Sequence, residues 1–165
     1  MQMVTSIEYI SNICFNAIIV GALTVLISFF TGPYNNGSVV GSMVGYSLIT
    51  LSLLFLFIMN VNNNNSGILS ILLSSGPFLL IIATTVYLLY LLGSYFNEIV
   101  AGRVSNSYGT FITLYLLMIL MQLYVHFNNS KNSKTTKMLL YLLGLFNTIV
   151  VITLGVILAY FSTDG

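Results

Sequence analysis

The sequence predicts an all-α protein, a bundle of about five transmembrane helices without a separate soluble domain. Charged residues make up 4% of the chain and hydrophobic residues 58%, against roughly 25% and 45–50% in an average soluble domain. Long apolar segments occupy most of the 165 residues, and five spans of ~20 residues leave room only for short loops. We therefore expect one integral membrane domain over residues 1–165.

The first two predicted spans cover residues 13–30 and 39–59. The first ends at Thr31-Gly32-Pro33, because glycine and proline terminate helices. The second begins with regularly spaced glycines and continues with bulky apolar residues. It ends at an uncharged, Asn-rich segment over residues 60–66, which predicts a solvated connector.

The third apolar stretch, residues 68–96, is longer than one bilayer crossing requires. Pro77 cannot donate a backbone hydrogen bond, so the sequence allows either one kinked helix or two separate pieces. We expect the second arrangement, with a short interfacial helix over 68–74 and a span over 77–96, because proline is tolerated in a first helical turn.

The last two predicted spans cover residues 108–127 and 138–161. The loop between them contains the only basic cluster of the sequence, Lys131, Lys134 and Lys137. Loops rich in Lys and Arg tend to remain on the cytoplasmic side. Counting back across five spans then puts the amino terminus on the same side.

Tyrosine positions also bear on the span boundaries, because the amphipathic ring prefers the membrane interface. Seven tyrosines lie near predicted span ends: Tyr9, Tyr34, Tyr46, Tyr95, Tyr108, Tyr124 and Tyr160. Four lie deeper, and we expect their hydroxyls to bond between helices: Tyr87, Tyr90, Tyr115 and Tyr141.

Small residues at helical spacing predict a helix-packing surface on span two. Gly37, Gly41 and Gly45 follow one another at intervals of four, with Ser38 and Ser42 beside them. In lipid, such residues allow two backbones to approach closely.

The partner of this glycine surface is open from the sequence alone. Within the chain, span one offers Ala17 and Gly21, and span five offers Gly155 and Ala159. Another protein is the third possibility, and it would make the surface a site of assembly.

Three amide side chains within the spans, Asn16, Gln122 and Asn147, are predicted to hydrogen-bond between helices. Lining a polar pore is the alternative role for these residues.

The sequence contains no arrangement that predicts catalysis or metal binding. No ionisable residue lies at mid-membrane depth, which argues against a proton pump, a voltage sensor or an ion-coupled transporter. His126 has no second ligand at suitable spacing, and Cys14 is the only cysteine. We expect no catalytic residues, no cofactor, no metal and no small-molecule substrate. A net charge of +1 gives no case for nucleic-acid binding.

Residues 36–47, Asn-Gly-Ser-Val-Val-Gly-Ser-Met-Val-Gly-Tyr-Ser, together with the Asn-rich loops and the small size, resemble small multi-span proteins of large DNA viruses. Such proteins lie in the inner membrane beneath the icosahedral capsid. The resemblance implies a non-enzymatic structural role, in which the chain packs with other membrane proteins and minor capsid proteins and links membrane to capsid.

Two other functions are compatible with the same pattern. Length and five spans would suit a small hydrophobic subunit of a respiratory membrane complex, although the expected glycine- and tyrosine-bearing motif of a central span is absent. A channel formed by several copies would require the polar faces of the protomers to meet around water.

Overall fold

The computed structural model describes residues 2–32, 35–63, 68–103, 107–128 and 134–163. Within these ranges the chain forms six helices and no strand, which confirms the all-α prediction. The helices are α1 (Gln2–Phe30), α2 (Asn36–Asn63), α3 (Ile68–Ser94), α4 (Phe96–Val100), α5 (Ser107–Asn128) and α6 (Lys134–Thr163).

Five of these helices are long and apolar enough to cross a membrane, which is the architecture of a multi-pass membrane protein. The candidate spans are Glu8–Phe30, Asn36–Met59, Gly76–Ser94, Tyr108–Val125 and Lys134–Ser162. The helices extend beyond the predicted apolar segments, most clearly at the start of α1 and α6, because a helix can continue through the polar boundary once its apolar part is formed.

Helix α3 differs from the expectation, because it runs without interruption from Ile68 to Ser94 and includes Pro77. The expected break between a helix over 68–74 and the following span is not present. Proline removes one backbone donor from a helix, whereas a full break would leave several backbone groups without partners. In an apolar environment the continuous helix is therefore the less costly arrangement.

The short helix α4 lies in a segment that the sequence predicts as a loop. It follows α3 after Tyr95 and ends at Val100, and the N–H of the next residue, Ala101, bonds to the Asn97 carbonyl. Ile99 of α4 is fully buried. Gly102 follows with a φ of +68°, a left-handed conformation that favours glycine. The buried isoleucine explains why this segment packs against the bundle.

The helices pack in the order α1, α2, α3, α6 and α5, with α1 at one edge of the bundle. Helix α1 rests mainly on α2 and touches α5 over a small area. The centre is filled by apolar side chains and three fully buried aromatic rings, Tyr46, Tyr108 and Tyr115.

The tyrosine pattern is only partly as predicted. Tyr46 and Tyr108, expected at the membrane interface, are buried in the centre. Tyr115 is buried with its hydroxyl between helices, as predicted. Tyr87 and Tyr90, expected between helices, are 43% and 65% exposed. Distance from a span end does not determine which face of the helix a residue occupies, and the face decides burial.

Candidate functional site

Two glycines allow the backbones of α1 and α2 to approach each other closely. A Cβ atom added to Gly21 would lie 2.6 Å from the carbonyl oxygen of Gly45. A Cβ added to Gly45 would lie 2.5 Å from the carbonyl oxygen of Gly21. Because real Cβ atoms do not approach oxygen this closely, either substitution forces the two helices apart. Gly21 on span one is therefore the partner of Gly45 in this structure.

One turn earlier on α2, a glycine again allows close contact with α1, here with a serine side chain. A Cβ on Gly41 would collide with Oγ of Ser28, a buried residue of α1 that donates to the Thr24 carbonyl at 2.7 Å. Ser38 and Ser42 are also buried. The close contact with α1 thus covers two successive turns of α2, at Gly41 and Gly45.

Gly37 does not belong to this contact. It is exposed, and the nearest atom to an added Cβ is the Asn35 side-chain oxygen at 3.6 Å. That oxygen accepts a hydrogen bond from the Gly37 N–H at 3.0 Å, while the Asn35 carbonyl accepts from the Ser38 hydroxyl. Asn35 thus caps α2, as asparagine does at many helix starts. This cap is not among the predictions from the sequence, although the Asn-Asn-Gly-Ser pattern before an apolar run is a signal for it.

The other predicted packing residues have separate surroundings. Ala17 is half-buried on α1. Gly155 is buried on α6, where an added Cβ would lie 3.2 Å from the Tyr87 hydroxyl and 3.4 Å from Leu91, both on α3. Gly155 therefore contacts α3 and not the glycines of α2.

Gln122 of α5 and Asn147 of α6 meet in the bundle with both side chains fully buried. Nδ2 of Asn147 donates to Oε1 of Gln122 at 2.8 Å. Nε2 of Gln122 faces two carbonyl oxygens, at 3.2 Å from Leu140 and 3.5 Å from Pro77. This amide pair links α5 and α6 to the Pro77 carbonyl of α3.

The orientation of the pair follows from hydrogen-bond chemistry. A flipped Gln122 amide would direct its oxygen at the carbonyl oxygens, which cannot donate. Its nitrogen must therefore face them, and its oxygen must accept from Asn147. The Asn147 Oδ1 atom then points away from Gln122, and it has no partner among the described residues.

Asn16, the third predicted interhelical amide, does not lie near the Gln122–Asn147 pair. It lies exposed on α1 and has no hydrogen bond with any described residue. It occupies the face opposite the buried Gly21, so it cannot reach the interior.

A second polar cluster joins α3 to α5. The Tyr115 hydroxyl lies 2.9 Å from Oγ1 of both Thr84 and Thr85, and each threonine also bonds to a carbonyl one turn earlier on α3. The Tyr46 hydroxyl of α2 donates to the Ile112 carbonyl of α5 at 3.0 Å. These buried hydroxyls link α2 to α5 and α3 to α5.

In the described chain, charged groups lie at the starts of candidate spans or in and beside α4. Arg103 and Glu98 form an ion pair of 3.2 Å beside α4, with 54% and 26% of the respective side chains exposed. Within the described ranges, no three His, Cys, Asp or Glu residues lie close enough to hold a metal ion. Cys14 is a buried free thiol on α1.

No family model matches this chain, and no curated protein or solved structure is significantly similar to it.

Proposed function

We propose that this chain is a non-enzymatic structural protein of a membrane, which packs with other membrane proteins in a larger assembly. The observation that carries the proposal is the use of the buried polar side chains. Gln122, Asn147, Tyr46 and Tyr115 each bond to a neighbouring helix. Polar groups bonded in this way stabilise a bundle, and among the atoms of these four side chains it is Oδ1 of Asn147 that has no partner in the described chain.

The distribution of charge supports the same function. Ion pumps and coupled transporters need ionisable groups inside the membrane. In the described spans the charged residues are Glu8, Lys134 and Lys137, all within the first turn of a candidate span. Charges at these positions anchor helix ends in the polar boundary.

The setting we propose is the inner membrane of a large DNA virus, where the partners would be other membrane proteins or minor capsid proteins. The support is the resemblance of residues 36–47 to small proteins of that membrane, together with an architecture of helices without a large loop domain. We further propose that the amino terminus and the loop over 131–137 lie on the cytoplasmic side.

Mass spectrometry of proteins copurified after mild detergent extraction tests this proposal. The tagged chain is expected to carry other membrane or capsid proteins with it, and to be enriched in purified virus particles. Extraction in a denaturing detergent is the control, because it should remove those partners. Recovery of the chain without any other protein in the mild detergent would overturn the proposal.

A second measurement separates a structural role from transport. The purified chain in a planar bilayer is expected to show no conductance above that of the bilayer alone, because the hydroxyls of Tyr46 and Tyr115 and the Gln122 amide are bonded within the bundle. A reproducible single-channel current from the purified chain would contradict the proposed function.

A further inference from the structure

The face of α1 that points away from α2 carries a regular row of exposed residues. The buried face is formed by Cys14, Ile18, Gly21, Val25 and Ser28. We define the outer stripe as six of the exposed residues along the opposite face. They are Tyr9, Asn12, Asn16, Ile19, Leu23 and Phe30.

The spacing of the outer stripe is that of a coiled-coil seam. From Tyr9 to Leu23 the steps alternate between three and four residues, and Phe30 follows one heptad after Leu23. A repeat of 3.5 residues keeps one face in contact with a second helix when the two wind around each other with a left-handed twist. The outer stripe can therefore pack along its whole length against a helix of matching spacing.

Asn16 makes this face unsuited to contact with lipid alone. The candidate span begins at Glu8 by length and composition. Asn16 lies about 12 Å further along the helix, within the stretch that would cross the hydrocarbon layer. Its amide is exposed and bonds to no described residue. An unpaired amide among acyl chains is unfavourable.

Two threonine side chains within the spans avoid this cost. Thr24 of α1 donates to the Val20 carbonyl at 2.8 Å, and Thr153 of α6 donates to the Ile149 carbonyl at 2.7 Å. Both hydroxyls are therefore satisfied by their own helix. Asn16 differs from these residues because it lacks such a bond.

We propose that the outer stripe is the surface at which two copies of this chain pair, with the Asn16 amide of each copy bonded to that of the other. An amide contains both a donor and an acceptor, so it is complementary to an identical amide. Copies inserted in the same orientation have parallel α1 helices. A two-fold axis along the membrane normal then brings residues of the same number together.

The heptad position of Asn16 supports the same pairing. Tyr9, Asn16, Leu23 and Phe30 are one heptad apart and would lie nearest the axis. A single asparagine at such a position is known to fix register and the number of helices. Asn12 also lies on the outer stripe, four residues before Asn16. In the unshifted register each asparagine faces its own counterpart, whereas a register shifted along the stripe leaves at least one amide of each copy without an amide partner.

The bundle leaves room for this approach. Helix α1 lies at the edge, resting mainly on α2, and the outer stripe is on its far side. Pairing therefore requires no rearrangement of the Gly21–Gly45 contact. It also does not depend on the proposed function, because self-association is measured separately from copurification with other proteins.

Energy transfer between donor- and acceptor-labelled copies in proteoliposomes tests the role of Asn16. Asn16→Leu is expected to weaken self-association about three- to thirty-fold, whereas Asn16→Gln, which keeps the amide, should retain most of it. Thr153→Leu is the matched control, because it removes an exposed hydroxyl that bonds only to its own helix. Equal association of the wild-type chain and Asn16→Leu would overturn the proposal.

Disulfide cross-linking tests the surface independently of that substitution. In a Cys14→Ala background, Leu23→Cys on the outer stripe should cross-link two copies. Val86→Cys on α3 should not, although the two native side chains are equally exposed, at 51% and 50%. Equal cross-linking at both positions would contradict the assigned surface. Association of α1 with other proteins alone, without self-association, would replace the second copy by a different partner.

Discussion

The Asn147 amide donates to the Gln122 side-chain oxygen at 2.8 Å, between two helices that are joined by only a few residues. Both side chains have no exposed surface. A buried amide pair of this kind fixes the relative rotation of α5 and α6, because a turn of either helix would separate donor from acceptor. It also binds the α3 carbonyl that belongs to Pro77.

Removing one member of this pair should cost more than removing both. Gln122→Leu leaves the Asn147 amide buried without its acceptor, which we expect to lower the free energy of unfolding by about 1–3 kcal/mol. The double variant with Asn147→Leu should be less destabilised than the sum of the two single variants. Unfolding in mixed micelles titrated with a denaturing detergent measures the cycle, and strict additivity would show that the two amides are not coupled.

The glycine contact between α1 and α2 predicts a difference between two glycines of one stripe. Gly45→Ala should destabilise the bundle by about 1–3 kcal/mol, because the new Cβ has no space beside the Gly21 carbonyl. Gly37→Ala is the matched control, since Gly37 is exposed near the start of the same helix, and it should change stability by less than about 1 kcal/mol. Equal thermal stability of both variants would exclude the close contact.

The Tyr46 hydroxyl predicts a loss that an exposed tyrosine should not show. Tyr46→Phe removes the donor to the Ile112 carbonyl and should lower the free energy of unfolding by about 1 kcal/mol. Tyr90→Phe, at a residue that is 65% exposed, should leave it unchanged. The two variants differ from wild type by the same atom, so denaturing-detergent titrations of both isolate the buried bond.

The Glu98–Arg103 ion pair is expected to contribute little. Because Arg103 is largely exposed, Glu98→Gln should change the free energy of unfolding by less than about 1 kcal/mol. Its effect should also become smaller as salt is added. A loss of several kcal/mol in the free energy of unfolding, measured by the same titration, would indicate that this pair stabilises the fold more than an exposed ion pair normally does.

The span count and the helical class could be predicted because both follow from composition and segment length. The face of each helix that turns toward the centre of the bundle could not be predicted from the sequence. Gly37 and Gly45 share one stripe, yet only Gly45 meets another backbone, because α2 begins next to Gly37 and α1 does not reach that turn. Such a difference depends on where the partner helix crosses, which is a property of the assembled bundle.

Pro77 shows in the same way that a rule based on neighbouring residues does not determine where a helix begins in this bundle. A proline after Ser-Ser-Gly predicts a helix start, and the rule is sound for a chain in water. In this chain the helix continues through it, since the surrounding helices and an apolar environment favour backbone bonds over a break. The sequence also did not predict which amides would pair. Asn16, Gln122 and Asn147 have similar sequence contexts, and only the last two meet.

The Gly21–Gly45 contact also bears on the order in which the bundle assembles. The two glycines belong to helices that are adjacent in sequence, and the turn between them is short. Contacts between near neighbours lose little chain entropy when they form. The α1–α2 hairpin can therefore close as soon as both helices have entered the bilayer, before α3 to α6 are synthesised, and it then offers α2 as the template on which the later helices dock.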